Sequence, residues 1–94
     1  MNIKQTKLRG DDGIDIIAEK EGINYGFQCK CYSSPVGIKA VQEAFTGTKM
    51  YNCDIAVVIT NNSFTPQAIH AAKQTRVRLW DRSKLIEMSA ALSS

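Results

Sequence analysis

The clearest pattern in the chain is a strict alternation from Ile23 to Cys31. Ile23, Tyr25, Phe27, Cys29 and Cys31 fall on one side, and Asn24, Gly26, Gln28 and Lys30 on the other. A period of two is that of a β-strand with unlike faces. Ile14 to Glu19 is rich in β-branched residues and predicts a preceding strand, while Asn2 to Leu8, with Ile3 and Leu8 held apart by polar residues, gives a weaker edge strand. Between these two, Arg9 to Gly13 is a run of glycine and aspartate that marks a tight turn. After Ser33, Ser34 and Pro35 the period changes, and Ile38, Val41, Ala44 and Phe45 recur at helical spacing to about Tyr51. The apolar run Ile55–Ile59, inside Cys53 to Thr60, suits a central strand covered on both faces. Thr65 is placed to cap a helix that opens on Pro66, with Phe64 set to staple against Ile69. Arg76 to Trp80 is short and β-like, and Asp81 caps a last helix carrying Leu85, Ile86 and Met88. The predicted order is β-β-β-α-β-α-β-α, an α/β fold with a mixed central sheet flanked by helices.

The hairpin joining the second and third strands fixes which residues meet. A two-residue loop at Glu21-Gly22 sets Ile16 opposite Phe27, Ala18 opposite Tyr25, Ile14 opposite Cys29, and Asp15 opposite Gln28. The apolar partners then share one face, and Asp15, Gln28 and Lys30 share the other. Opposed β-carbons lie roughly 5 Å apart, so a carboxylate, an amide oxygen and an ammonium group surround one small volume. Hard oxygen donors from Asp15 and Gln28 suit magnesium or manganese, which take few protein ligands and leave room for water and phosphate oxygens. Lys30 adds a positive charge beside such an ion, an arrangement suited to phosphodiester hydrolysis.

Composition narrows this picture only slightly. A chain of 94 residues reads as one domain over 1–94, and its apolar and charged shares of 44% and 22% are those of an ordinary globular protein. The net charge of +3 permits an anionic partner without requiring one. No apolar run is long enough to span a bilayer, and no secretory signal follows Met1, so the expected location is cytoplasmic. Three cysteines and a lone His70 on a predicted helix do not have the ligand spacing of a structural zinc site, and Cys29 and Cys31 are expected to be reduced core residues.

With these residues in view, the stretch GDDGIDIIAEKEGINYGFQCKCYSSPVGIKAVQEA resembles the catalytic core of Mrr-type restriction endonucleases. These belong to the PD-(D/E)xK nuclease superfamily, and their branch commonly carries a QxK motif, matched here by Gln28-Cys29-Lys30. The strings CDIAVVITNNSFT and VRLWDRSKL resemble the distal half of the same domain, so the likeness covers nearly the whole chain. The resemblance implies a restriction-endonuclease-like core, with Asp15 the metal-binding aspartate, Gln28 the second metal-side residue and Lys30 the catalytic lysine. It also implies that Gln42, in the AVQEA segment, is a polar helix residue leaning into the site. The substrate it implies is double-stranded DNA, with modified DNA the Mrr-type target and a separate domain usually reading the modification. Related domains usually open with a helix before the first strand, whereas this chain starts almost at that strand. A homodimer partner or further domains are therefore expected to supply the cover, over an exposed apolar patch near the first strand.

Plainer roles are assigned elsewhere. Asp11 is read as a turn cap, Asp12 and Glu19 as solvated charges, Glu43 as an exposed helix residue, His70 as a helix-surface residue and Trp80 as a core anchor. Ser33 and Ser34 precede a helix amino terminus where phosphate can bind, though loop chemistry explains them equally well. Lys39, Lys49, Lys73, Arg76 and Arg78 are candidates for backbone contact and equally for solvated faces. The competing functional reading is a catalytically incompetent nucleic-acid-binding or assembly module that keeps the nuclease fold.

Overall fold

The structure is a computed structural model that describes residues 2–5 and 14–93. Eight elements follow in the expected order: β1 (Asn2–Gln5), β2 (Ile16–Lys20), β3 (Ile23–Lys30), α1 (Ile38–Met50), β4 (Ile55–Thr60), α2 (Pro66–Thr75), β5 (Arg78–Trp80) and α3 (Arg82–Ser93). Among the described residues the strands form one sheet in the order β1-β2-β3-β4-β5. β1, β2 and β3 pair antiparallel, and β3, β4 and β5 pair parallel, with α1 and α2 making the two crossovers. The mixed α/β architecture is thus the expected one. The turn at Arg9 to Gly13 and the cap at Asp11 lie outside the described residues.

The β2–β3 turn is the predicted two-residue loop. Glu21 and Gly22 both take positive φ, 54° and 81°, as a turn matched to strand twist demands. The pairing runs from Ile16↔Phe27 to Lys20↔Ile23, the expected register along the length of β2. Farther along, the loops after β3 and β4 are zipped together. The Val36 N–H donates to the Ser63 carbonyl at 2.8 Å, and the Thr65 N–H donates to the Val36 carbonyl at 2.9 Å. That seam brings the amino termini of α1 and α2 side by side at the carboxyl ends of the parallel strands. Thr65 Oγ1 accepts from the Ala68 N–H at 3.2 Å and Asp81 Oδ1 from the Lys84 N–H at 2.9 Å, so both predicted caps form.

The helices pack through small residues. Ala40, Val41, Ala44 and Gly47 of α1 are buried, as are Ala68, Ala71 and Ala72 of α2, over Ala56 and Val58 of β4. Short side chains let the helices lie close to each other and to the sheet. This corrects the expected inner face of α1, because Ile38 and Phe45 are exposed and Phe45 instead lies beneath the Lys49 ammonium, 4.7 Å from its ring centre. Ile69 and Ile86 are also exposed, while Phe64 packs against the helical core. Cys29 and Cys31 are free thiols, but exposed ones rather than core residues. They lie near the end of β3, beyond a ring cluster in which Tyr25 stacks on Phe27 at 6.4 Å between centres and Phe27 meets Trp80 at a tilt of 58° and 5.6 Å, on the face opposite α1 and α2.

Candidate active site

β3 carries the site on its helix-facing side. Gly26, Gln28 and Lys30 pair with Ala56, Val58 and Thr60 of β4, and the interior position of β3 in the sheet holds their backbone rigidly. Gln28 is the unusual member, a polar residue only 2% exposed. Its Nε2 donates to Glu43 Oε1 at 3.3 Å, whereas its Oε1 is buried with no hydrogen-bond partner. An orphaned buried acceptor carries a desolvation cost of about 1–3 kcal/mol unless a donor or cation meets it.

Lys30 Nζ lies 3.2 Å from the same Glu43 oxygen and 5.7 Å from the centre of the Tyr32 ring. Burial alone would pull the Lys30 pKa down, but the hydrogen bonds and charges of Tyr32 and Glu43 raise it above the ordinary lysine value. Lys30 is therefore a cation at neutral pH. It lines a pocket of about 200 Å³ together with Tyr32, Gly37, Lys39 and Glu43 at the start of α1. Gly37 caps that helix without a side-chain hydrogen bond. Ser33 and Ser34 are exposed in the loop before it.

Asp15 sits one residue ahead of β2, where the simple register gives way. Its N–H donates to the Phe27 carbonyl at 2.8 Å, although Phe27 is already the partner of Ile16. Two residues thus oppose one, the arrangement of a β-bulge, which re-aims the side chain that precedes it. The Asp15 carboxylate turns across to β3, where Oδ2 accepts from the Cys29 N–H at 2.9 Å. The strict pairings Asp15 with Gln28 and Ile14 with Cys29 are corrected accordingly. Ile14 is buried, and its Cδ1 would stand 2.9 Å from a β-carbon on Gly26, so it packs on the Gln28 face. Partial desolvation of the Cys29 thiol, and then the charges of Asp15 and Cys31, push its pKa up from the ordinary thiol value.

Gln42 is exposed, and the α1 side chain that reaches Gln28 and Lys30 is the next one, Glu43. The reason is helical phase. Ile38, Gln42, Phe45 and Lys49 form one outward stripe, while Ala40, Ala44 and Gly47 on the inward side flank Glu43. The inward place that the family resemblance implies for Gln42 is thus taken in this chain by Glu43. The signal available in the sequence was the Ala40, Ala44, Gly47 spacing, which marks the close-packed face. Glu43 is thus half-buried rather than an exposed helix residue. His70 is exposed on α2, and Glu19 is half-buried.

Among the described residues no three His, Cys, Asp or Glu side chains gather in a metal-binding group. An ion placed here would take no more than two carboxylates, with the Gln28 amide oxygen and water completing its shell, which is the sparse hard-oxygen coordination that magnesium accepts. The orphaned Gln28 Oε1 fits such an ion.

Comparison with known proteins agrees with the architecture. The chain covers 98% of its own length and 26% of the other chain in a match to the DNA modification-dependent restriction endonuclease AspBHI, at a TM-score of 0.73 and 19% identity. A match to the protein of unknown function AF1548 covers 87% of this chain and 50% of that one, at a TM-score of 0.71 and 22% identity. The chain thus spans half or less of the length of these structures, and at such identities the likeness shows the fold. No curated protein matches. The family model Mrr_cat, described as restriction endonuclease, matches residues 1–89, and with so much of its length covered the chain belongs to that restriction endonuclease family.

Proposed function

We propose that this domain is the catalytic core of a metal-dependent DNA endonuclease that hydrolyses phosphodiester bonds in double-stranded DNA. The observation that carries the reading is the buried Gln28 Oε1 with no partner, on the same strand face as a charged Lys30. In this reading Asp15 and Gln28 hold a magnesium or manganese ion. When bound, the ion supplies Lewis-acid activation of water and neutralises charge on phosphate oxygens. Lys30 acts as a cation that binds and orients the phosphate beside the ion, its ammonium held by Glu43 at 3.2 Å. The Cys29 N–H holds the Asp15 carboxylate in one orientation. Lys39 and Tyr32, on the wall of the same pocket, are placed to contact the DNA backbone beside the scissile phosphate. Modified DNA is the target class that the AspBHI likeness favours, with recognition residing outside this domain.

Plasmid digestion tests the reading. The domain should nick supercoiled DNA with magnesium or manganese and fail in chelator, and Lys30→Ala should lower the rate by about two orders of magnitude, or roughly 2.7 kcal/mol of barrier. Equal nicking by Lys30→Ala would remove the site from the reaction. Salt-sensitive binding of DNA with no cutting under any metal would instead favour a non-cleaving nucleic-acid module.

A further inference from the structure

We propose that Glu43 is a positioning residue of this site, fixing the Gln28 amide so that its oxygen, and not its NH2 group, is presented to a cation. The inference rests on the nuclease reading above and adds a residue which that reading leaves unused. A glutamine amide has two ends of nearly the same shape, one an acceptor and the other a double donor. Turned the wrong way, Gln28 would point N–H groups at a cation and repel it. At 2% exposure bulk water does not decide the orientation, so a neighbour must.

Glu43 has the required chemistry. Its Oε1 receives both the Gln28 Nε2, at 3.3 Å, and the Lys30 Nζ, at 3.2 Å. An ionised carboxylate only accepts, so it captures the NH2 end of Gln28 and cannot stabilise the flipped amide. Lys30 only donates, so it cannot take over this role. The ammonium group of Lys30 meets the same carboxylate oxygen, and the two contacts together hold it in one place. Placed on the helix, the acid supplies the negative charge that the strand position lacks. Gln28 Oε1 is the atom left without a partner, as a preset acceptor would be.

Manganese binding without DNA, followed by the paramagnetic signal of free Mn2+, tests this apart from cleavage. Wild type, Glu43→Gln and the double variant Gln28→Glu/Glu43→Gln are compared, with thermal melts alongside. Glu43→Gln should weaken binding about tenfold or more, as loss of a ligand-orienting partner does, without a matching fall in melting temperature. The double variant, which returns the acid to the strand, should recover to within about threefold of wild type. Equal Mn2+ affinity in wild type and Glu43→Gln would overturn the inference and leave the nuclease reading standing. Wild type that binds no Mn2+ would defeat the nuclease reading itself. A second measurement needs no variant: in the metal-free protein the Gln28 side-chain NH2 should exchange slowly with water, and free exchange of that group would also overturn the inference.

Discussion

Gly26 shows how one absent side chain shapes the site. A β-carbon there would stand 2.9 Å from Ile14 Cδ1 and 3.0 Å from Cys53 Sγ, closer than packed atoms tolerate. The bare backbone lets Ile14 pass over the strand, next to the bulge at Asp15. Gly26→Ala should therefore destabilise the domain by about 1–3 kcal/mol, read by urea or thermal unfolding. Asp15→Asn makes a contrasting test, because an amide oxygen can still accept from the Cys29 N–H while the charge is lost. It should leave the melting temperature nearly unchanged and lower cleavage by about a hundredfold or more. Lys30 gives the pH dependence. Its folded pKa is raised, so the protonated form is favoured by folding, and its contribution is complete below the ordinary lysine value of about 10.4 and fades as pH climbs through the raised one. The stability difference between wild type and Lys30→Met should accordingly shrink between pH 8 and strongly alkaline conditions. At this scale the QxK pair was legible in the alternation of β3, but the bulge was not. The bulge lies in how two strands pair around Asp15 and Phe27, which no local pattern records.

At the scale of elements, turns and caps are legible because they depend on one or two residues with specific local chemistry. Glu21-Gly22 supplies a positive-φ turn, and Thr65 and Asp81 supply their side-chain oxygens. Thr65→Ala should cost about 1 kcal/mol, seen as a fall of roughly 4–8 °C in melting temperature for a domain of this size. The face of α1 was harder. Large apolar residues dominate a periodicity reading, yet Ile38 and Phe45 are exposed while alanines and a glycine make the contact. Helix proximity in this fold is set by what is small. Glu43, beside those small residues, reaches Gln28 and Lys30, while Gln42, which the family resemblance placed in the site, is exposed.

For the whole molecule, the sequence of elements led correctly to a mixed sheet, because strands joined by a tight turn pair antiparallel and strands joined through a helix pair parallel. The face of the sheet opposite the helices, with Tyr25, Phe27 and Trp80 half-buried, follows from the alternation of β3 as well. The parallel strands end beside the zipped loops at Val36 and Phe64, which places the pocket of Lys30, Lys39 and Glu43 at the carboxyl edge of the sheet, where open α/β sheets carry their ligands. The family match and the solved folds agree on the domain, and its proposed chemistry depends on what Asp15 and Gln28 do together within it. The most direct measurement is anomalous diffraction from crystals grown with manganese. One ion in direct coordination with both the Asp15 carboxylate and Gln28 Oε1 is expected, whereas an ion bound elsewhere in a protein that cuts DNA would contradict the proposed site.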